Sequence, residues 1–197
     1  MDADGWDRSD DPRALVAAAG GRVSARKWRL ALTAVVRDRR SSQDVPSLTS
    51  AYHLAERQAD GLIEPRLLAA GYDAARVGWA DTEVPLLLVP DRRLAEAVLV
   101  ALPVVLRQLD PERVCRHVRE VVGNPFRWVR WDDGWATRTA HTLAADGYAR
   151  GRFDTLPVLA DALEDAGCDN AELLAHLRGP GPHVRGCWAL DVVLGKV

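Results

Sequence analysis

The chain has few of the features that mark secreted or membrane proteins. Only three of its 197 residues are cysteines, namely Cys115, Cys168 and Cys187. An odd and sparse set does not suit a disulfide framework and fits a reducing compartment. The acidic, polar N-terminus does not resemble a signal peptide, and the most apolar stretch, residues 94–106, is too short to span a bilayer. We therefore expect a cytoplasmic protein without a membrane partner.

Neither sign of charge dominates the sequence. The formal net charge is −2, so the chain lacks the basic field that would attract nucleic acid, and we expect no nucleic-acid partner. Lysine is almost absent, because Lys27 and Lys196 are the only two. Arginine supplies the rest of the positive charge, and together with the abundant alanine it indicates GC-rich coding more than phosphate binding.

The motifs of the common enzyme classes are also lacking. There is no phosphate-binding glycine loop, no Gly-x-Ser-x-Gly, no His-Glu-x-x-His and no Cys-x-x-Cys. What the sequence does have is apolar residues spaced by three and four almost throughout, while strand-like alternation is nearly absent. This pattern predicts an all-α fold, an irregular multi-helix bundle, with a short helical-hairpin solenoid as the alternative.

Capping residues and breaks divide the chain into predicted helices. They follow Ser24, cover residues 46–60, 65–75, 91–109 and 111–122, and then begin at Asp133 or Gly134, after Asp154, after Asp169 and at His183. The 91–109 helix is apolar nearly all round, which predicts a central position, and residues 84–90 form a short strand or connector. We expect one domain, 1–197, with a possible division into 12–122 and 123–197. The helices from Asp133 to Leu194 should pack as one unit, with Leu159, Leu163, Leu173 and Trp188 buried together.

Five segments resemble one family in their order along the chain. They are Ser24–Leu30, Ala55–Gly61, Gly123–Arg127 (GNPFR), Leu159–Cys168 (LADALEDAGC) and Gly179–Trp188 (GPGPHVRGCW). Together they resemble a large paralogous family of uncharacterised planctomycete proteins, and the fourth also resembles the helical repeat-companion motif of those genomes. The sequence departs from the family at Val35 and Val36, where many members carry two cysteines, and in lacking a long middle helix. The resemblance implies a bacterial lineage and no mechanism.

A candidate metal site lies near the C-terminus. Cys168, His176, His183 and Cys187 fall within twenty residues, and two cysteines with two histidines suit tetrahedral zinc. His183 and Cys187 are four apart on a predicted helix, so they would share one face, and the Gly-Pro-Gly-Pro break would fold His176 back towards them. The favoured interpretation is core packing and helix capping without a cofactor, because cysteine is often buried without metal. Zinc is the alternative.

Asp191 follows Cys187 and Trp188 by one turn, on or beside a face that should be buried. A buried carboxylate needs a donor, such as Arg185, Trp188 or an N-terminal helix. We interpret Asp191 as a buried hydrogen-bond anchor rather than a catalytic group, since no second carboxylate accompanies it.

A candidate protein-binding patch follows the Gly-Asn-Pro turn. It consists of Arg127, Trp128, Arg130 and Trp131, and exposed tryptophan and arginine are frequent interface anchors. We expect Trp135 to be buried and Trp128 or Trp131 to be exposed; burial of all three would remove the patch.

The functional hypothesis from these observations is a non-enzymatic protein–protein interaction or scaffold module. One alternative is a zinc-stabilised regulatory domain. The other is a small hydrolase with an unrecognised site, which a pocket holding convergent titratable groups would favour.

Overall fold

The protein is all-α, as the sequence predicts. The computed structural model describes residues 1–39, 46–78, 88 and 110–196, and within them there are ten α-helices and no strand. They are α1 (Ala3–Arg8), α2 (Pro12–Ala19), α3 (Ala25–Arg39), α4 (Pro46–Ala59), α5 (Pro65–Gly78), α6 (Pro111–Val122), α7 (Arg138–Arg150), α8 (Leu156–Asp165), α9 (Ala171–Arg178) and α10 (Trp188–Leu194). The predicted helix at 91–109 and the segment at 84–90 lie outside the described residues, apart from Leu88, which is buried.

Local capping explains where several helices begin. The Asp110 side chain accepts a hydrogen bond from the backbone of Glu112, and Pro111 stands at the first helical position of α6. This confirms the predicted start, because a proline there loses no helical hydrogen bond. Asp2 caps α1 in the same way by accepting from Gly5. Helix α1 was not predicted from the sequence, and it places a fully buried tryptophan within an acidic N-terminus.

Three predicted helix starts in the C-terminal third are wrong in position. Asp133–Trp135 forms a short 3-10 turn, and α7 starts only after Thr137, which caps it. Asp154 lies in a second 3-10 turn and does not cap α8. Asn170, rather than Asp169, caps α9. Thr137 and Asn170 cap α7 and α9 with their side chains, whereas α8 has no side-chain cap. Spacing alone does not decide which polar residue takes this role.

The last predicted helix is shorter than expected. Residues 183–187 are not helical, and α10 begins at Trp188. Gly186 has a φ of 89°, a left-handed conformation that interrupts a helix and that glycine adopts at little cost. A Cβ atom on Gly186 would lie 2.7 Å from the side chain of Leu30 in α3, so the close packing on α3 also requires glycine.

Two apolar clusters form the core of the described chain. The first gathers side chains from α1 to α6, and the second gathers side chains from residues 129–135 to α10. Leu159, Leu163 and Leu173 are fully buried in the second cluster, as predicted. Trp188 is not: it is only partly buried and packs against the edge of that cluster, so its predicted place in the core is corrected.

A buried ionic network joins elements of both clusters. Asp191 of α10 is 2% exposed, and Arg26 of α3 donates to its two carboxylate oxygens at 2.7 and 2.9 Å. Lys27 lies 2.5 Å from Asp191 and donates to the carbonyl oxygens of Val121 and Gly186. The interpretation of Asp191 as a buried anchor is confirmed, and its donors come from α3.

The same network continues to Asp60, which directly follows α4. Arg185 donates two hydrogen bonds to Asp60, at 2.6 and 3.1 Å, and the Tyr148 hydroxyl donates a third at 2.6 Å. Arg26 links the two carboxylates, because it also lies 3.3 Å from Asp60. The expectation that no second carboxylate accompanies Asp191 is therefore wrong, although Asp191 is a buried anchor. Burial raises the pKa of Asp60, but these hydrogen bonds and the neighbouring cations together lower it by more. The net pKa is therefore below the ordinary value. We call these six residues the Asp60–Asp191 network.

Candidate functional site

The predicted protein-binding patch directly follows a turn at residues 123–126 that hydrogen bonds hold in position. The amide nitrogen of Asn124 donates to the Ala3 carbonyl and to the Asp7 carboxylate, both at 3.0 Å, and its oxygen accepts from the Phe126 backbone at 3.0 Å. Gly123 before it has a φ of 72°, and a Cβ atom there would lie 3.0 Å from Trp188. The chain after this turn is therefore held against α1 and α10.

The three tryptophans after the turn differ in exposure. Trp128 is 69% exposed, whereas Trp135 is buried. Trp131 is half-buried and packs edge to face on Trp135, with ring centroids 5.5 Å apart. This confirms the predicted burial of Trp135 and the predicted exposure of at least one of the other two. An exposed indole on a fixed backbone is a ready anchor for another molecule.

An open groove of about 700 Å³ runs beside these rings. We call it the tryptophan groove, and its lining is Trp128, Arg130, Trp131, Asp132, Asp133, Trp135, Asp169 and Asn170. The lining thus includes three carboxylates and one guanidinium. Arg127, the fourth member of the predicted patch, points elsewhere, since it lies 3.4–3.5 Å from the carboxylates of Asp4, Asp7 and Glu172. The structure therefore places Trp128, Arg130 and Trp131 in one groove and Arg127 outside it.

A second group of functional side chains lies where α6, α9 and residues 183–187 meet. The His176 Nε2 atom lies 3.2 Å from Cys187 Sγ and 3.3 Å from a Glu120 oxygen. The other Glu120 oxygen lies 3.2 Å from His183 Nδ1. One ligand atom from each of these four residues falls within 4.8 Å of the others. We call Glu120, His176, His183 and Cys187 the Glu120 cluster.

The structure brings together three of the four residues predicted as metal ligands. Cys168 is not in the Glu120 cluster, because its side chain is buried in the second apolar cluster just after α8. Glu120 takes its place. His183 and Cys187 do converge, but through a non-helical segment and not along one helix face as predicted. Sequence reasoning missed Glu120 because it stands on a distant helix, although a glutamate next to Val121 and two residues after Val118 on a strongly amphipathic helix is a usable signal.

Hydrogen bonds indicate the protonation of the two histidines. His183 faces oxygen at both nitrogens, Glu120 at Nδ1 and the Gly179 carbonyl at Nε2, which lies 3.1 Å away. Burial lowers the pKa of His183, but the Glu120 carboxylate raises it more, and the net shift is upward. His176 differs, because its Nδ1 accepts from the indole N–H of Trp188 at 3.2 Å. A neutral His176 therefore carries its proton on Nε2, facing Glu120 and Cys187.

The two acidic members of the Glu120 cluster shift in opposite directions. Burial raises the pKa of Glu120, but the hydrogen bonds from His176 and His183 together lower it by more. The net pKa is below the ordinary value, so the carboxylate is charged. Burial raises the pKa of the Cys187 thiol well above its ordinary value, and the side chain is fully buried. Without a metal, Cys187 is therefore an inert thiol and not an activated nucleophile.

A pocket of about 300 Å³ opens beside the Glu120 cluster. Glu120, His176, His183 and Trp188 are among its lining residues, so it meets our criterion of convergent titratable groups for a hydrolase. The described residues that line it include no serine, threonine, cysteine or lysine. Both Glu120 oxygens are already occupied by the histidines. The pocket thus offers acid–base groups without a nucleophile beside them.

Comparison with known proteins adds no family to this picture. The chain matches no family model, no curated protein and no solved structure. The resemblance to the planctomycete family therefore stays a prediction. Among the described residues, no helix is both long and apolar enough to span a membrane.

Proposed function

We propose that the protein is a non-enzymatic interaction module that binds a positively charged segment of a partner protein in the tryptophan groove. The observation that carries this proposal is the 69% exposure of Trp128 beside Trp131 on a backbone fixed by the Asn124 hydrogen bonds. A large aromatic side chain held in solvent gains from covering by a partner, and tryptophan is enriched among the residues that dominate interface energies.

The charges in the groove favour a cationic occupant. Asp133 and Asp169 are exposed, and neither they nor Arg130 form an ion pair within the described residues. An arginine or lysine side chain on an indole face gains a cation–π contact, and a nearby carboxylate adds a charge-assisted hydrogen bond. The same carboxylates would repel a phosphate backbone, which supports the expectation that nucleic acid is not the partner.

The hydrolase alternative rests on the pocket beside the Glu120 cluster, and a buried thiol weakens it. Cys187 is fully buried and does not line the pocket, so a substrate there would not reach it. We place binding first for this reason. Three buried free cysteines support a reducing compartment, and the cytoplasm and a bacterial lineage remain part of the proposal.

Peptide binding measured by fluorescence anisotropy tests the proposal. The probes are labelled peptides of equal length, one rich in arginine and lysine, one rich in aspartate and glutamate. The basic peptide should bind the full chain and the acidic one should not, and binding should weaken as salt increases. Trp128→Ala should weaken binding about tenfold or more, which corresponds to the loss of a hot-spot side chain.

The matched control is Leu62→Ala, which removes another exposed apolar side chain, one that is 60% exposed and lies outside the groove. This variant should bind the basic peptide as the wild type does. Equal binding by Trp128→Ala and the wild type would contradict the groove as the site. Equal binding of the acidic and basic peptides would contradict its charge preference.

A further inference from the structure

We propose that Glu120, His176, His183 and Cys187 bind one zinc ion, which fastens α6, α9 and the segment before α10 together. The proposal rests on geometry. Four donor atoms from three separate segments converge within 4.8 Å of one another. The His176–Cys187 and His176–Glu120 separations of 3.2 and 3.3 Å are close to the edges of a tetrahedron with metal–ligand distances of about 2.0–2.3 Å. His183 Nδ1 lies 3.2 Å from the other oxygen of the same carboxylate.

The donor set selects zinc among the common metals. One thiolate and two imidazoles exclude calcium and magnesium, which prefer oxygen ligands throughout. Zinc accepts sulfur, nitrogen and carboxylate oxygen in one tetrahedral site. Because all four positions would be filled by the protein, the site is of the structural type and leaves no position for a reacting water.

Burial and charge are consistent with a metal at this position. The side chains of Glu120 and His183 are 4% and 7% exposed, and Cys187 is fully buried. A zinc ion with one carboxylate and one thiolate has no net charge, so the complete site can be buried without an uncompensated ion. Glu120 and Cys187 are far apart in sequence, so a metal bound to both would close a long loop between α6 and the C-terminal segment. Closing a long loop is expected to increase stability strongly.

The surroundings of His183 match those of a metal ligand. Its Nε2 atom faces the Gly179 carbonyl at 3.1 Å, which leaves Nδ1 directed at the cluster. Metal-bound histidines usually donate their second ring N–H to a carbonyl or carboxylate in this way. His176 is held differently, because Trp188 donates to its Nδ1. Zinc on Nε2 moves the ring proton to Nδ1, so zinc binding must break the Trp188 hydrogen bond.

Zinc content of the full chain is the first test. Protein purified without chelator and dialysed against buffer containing zinc, then against zinc-free buffer, should retain about one zinc per chain by elemental analysis. Cys187→Ser should lower zinc affinity at least about tenfold. The matched control is Cys168→Ser, which changes another buried cysteine that lies outside the cluster, and it should retain zinc as the wild type does.

A second measurement keeps the test decisive if a variant folds poorly. Cobalt titrated into the metal-free wild type should give the visible bands of a tetrahedral site and a thiolate charge-transfer band, and Glu120→Gln should weaken cobalt binding while keeping the thiolate band. A folded wild type that retains no zinc and gives no cobalt spectrum would overturn the proposal. So would zinc retained fully by Cys187→Ser. Neither result bears on peptide binding in the tryptophan groove, which is a separate site.

Discussion

The indole of Trp188 determines which ring nitrogen of a neutral His176 carries the proton. In the metal-free chain, Trp188 donates to His176 Nδ1 at 3.2 Å and so keeps the ring proton on Nε2. Trp188 is only partly buried, so its truncation should cost less than the roughly 3–5 kcal/mol typical of a fully buried tryptophan, the cost expected from the sequence. Its importance lies in the hydrogen bond more than in the area it buries.

Replacing Trp188 by phenylalanine separates these two contributions. The ring remains but the N–H donor is lost, so we expect metal-free Trp188→Phe to be less stable by about 1 kcal/mol. Because zinc binding must break this hydrogen bond, the same change should tighten zinc binding by about fivefold. Chemical denaturation and competitive zinc titration measure the two effects. Trp128→Phe, an exposed ring in the tryptophan groove, is the control and should change neither. Weaker zinc binding in Trp188→Phe would contradict this tautomer argument.

At the scale of the helices, Asp60 connects four segments of the chain. It lies at the end of α4 and is bound by Arg26 of α3, Tyr148 of α7 and Arg185 before α10, with Lys196 at 3.7 Å. Its side chain is 2% exposed. Asp60→Asn leaves these cations partly unpaired, and we expect a loss of about 3–5 kcal/mol in the free energy of unfolding at neutral pH.

The pH dependence of this loss follows from the lowered pKa of Asp60. A carboxyl whose pKa falls on folding contributes stability above its unfolded value, which is 3.8, and loses it as pH decreases through the lower folded value. The stability difference between the wild type and Asp60→Asn should therefore be constant near neutral pH and shrink below about pH 4. Glu112→Gln, at an exposed ion pair on α6, should change stability by less than about 0.5 kcal/mol. A difference that grows on acidification would contradict the assignment.

The helices were predictable to the extent that local chemistry defines them. The start of α6 at Asp110-Pro111 follows from a cap and a proline, both readable in the sequence. The start of the last helix was not readable, because residues 183–187 are shaped by the contact of Gly186 with Leu30, which is distant in sequence. Glu120 was not predicted as a ligand for the same reason, because it is distant in sequence from the other three residues of the Glu120 cluster. Spacing along the chain grouped Cys168 with the histidines, whereas folding across α6 supplied the fourth member.

At the scale of the whole molecule, polar side chains couple the two apolar clusters. Arg26 and Lys27 extend from α3, in the first cluster, to Asp191 of α10, in the second. Glu120 of α6 makes a similar connection to His176 and His183. Buried ion pairs thus join the two clusters, together with the close packing of Gly186 on Leu30.

Hydrogen exchange on Asp191→Asn tests this coupling. The variant leaves Arg26 and Lys27 buried without their carboxylate, so amide protection should fall in α3 and α10 together, by about 100-fold, or about 3 kcal/mol. The control is Asp161→Asn on α8, which removes an exposed ion-pair partner of Arg178 on α9. It should leave amide protection in α3 and α10 unchanged. If α10 alone loses protection while α3 keeps its wild-type exchange, the clusters open independently and the network does not couple them. A loss of amide protection in both helices would mean that removing the charge of one carboxylate loosens α3 and α10, which lie near opposite ends of the chain.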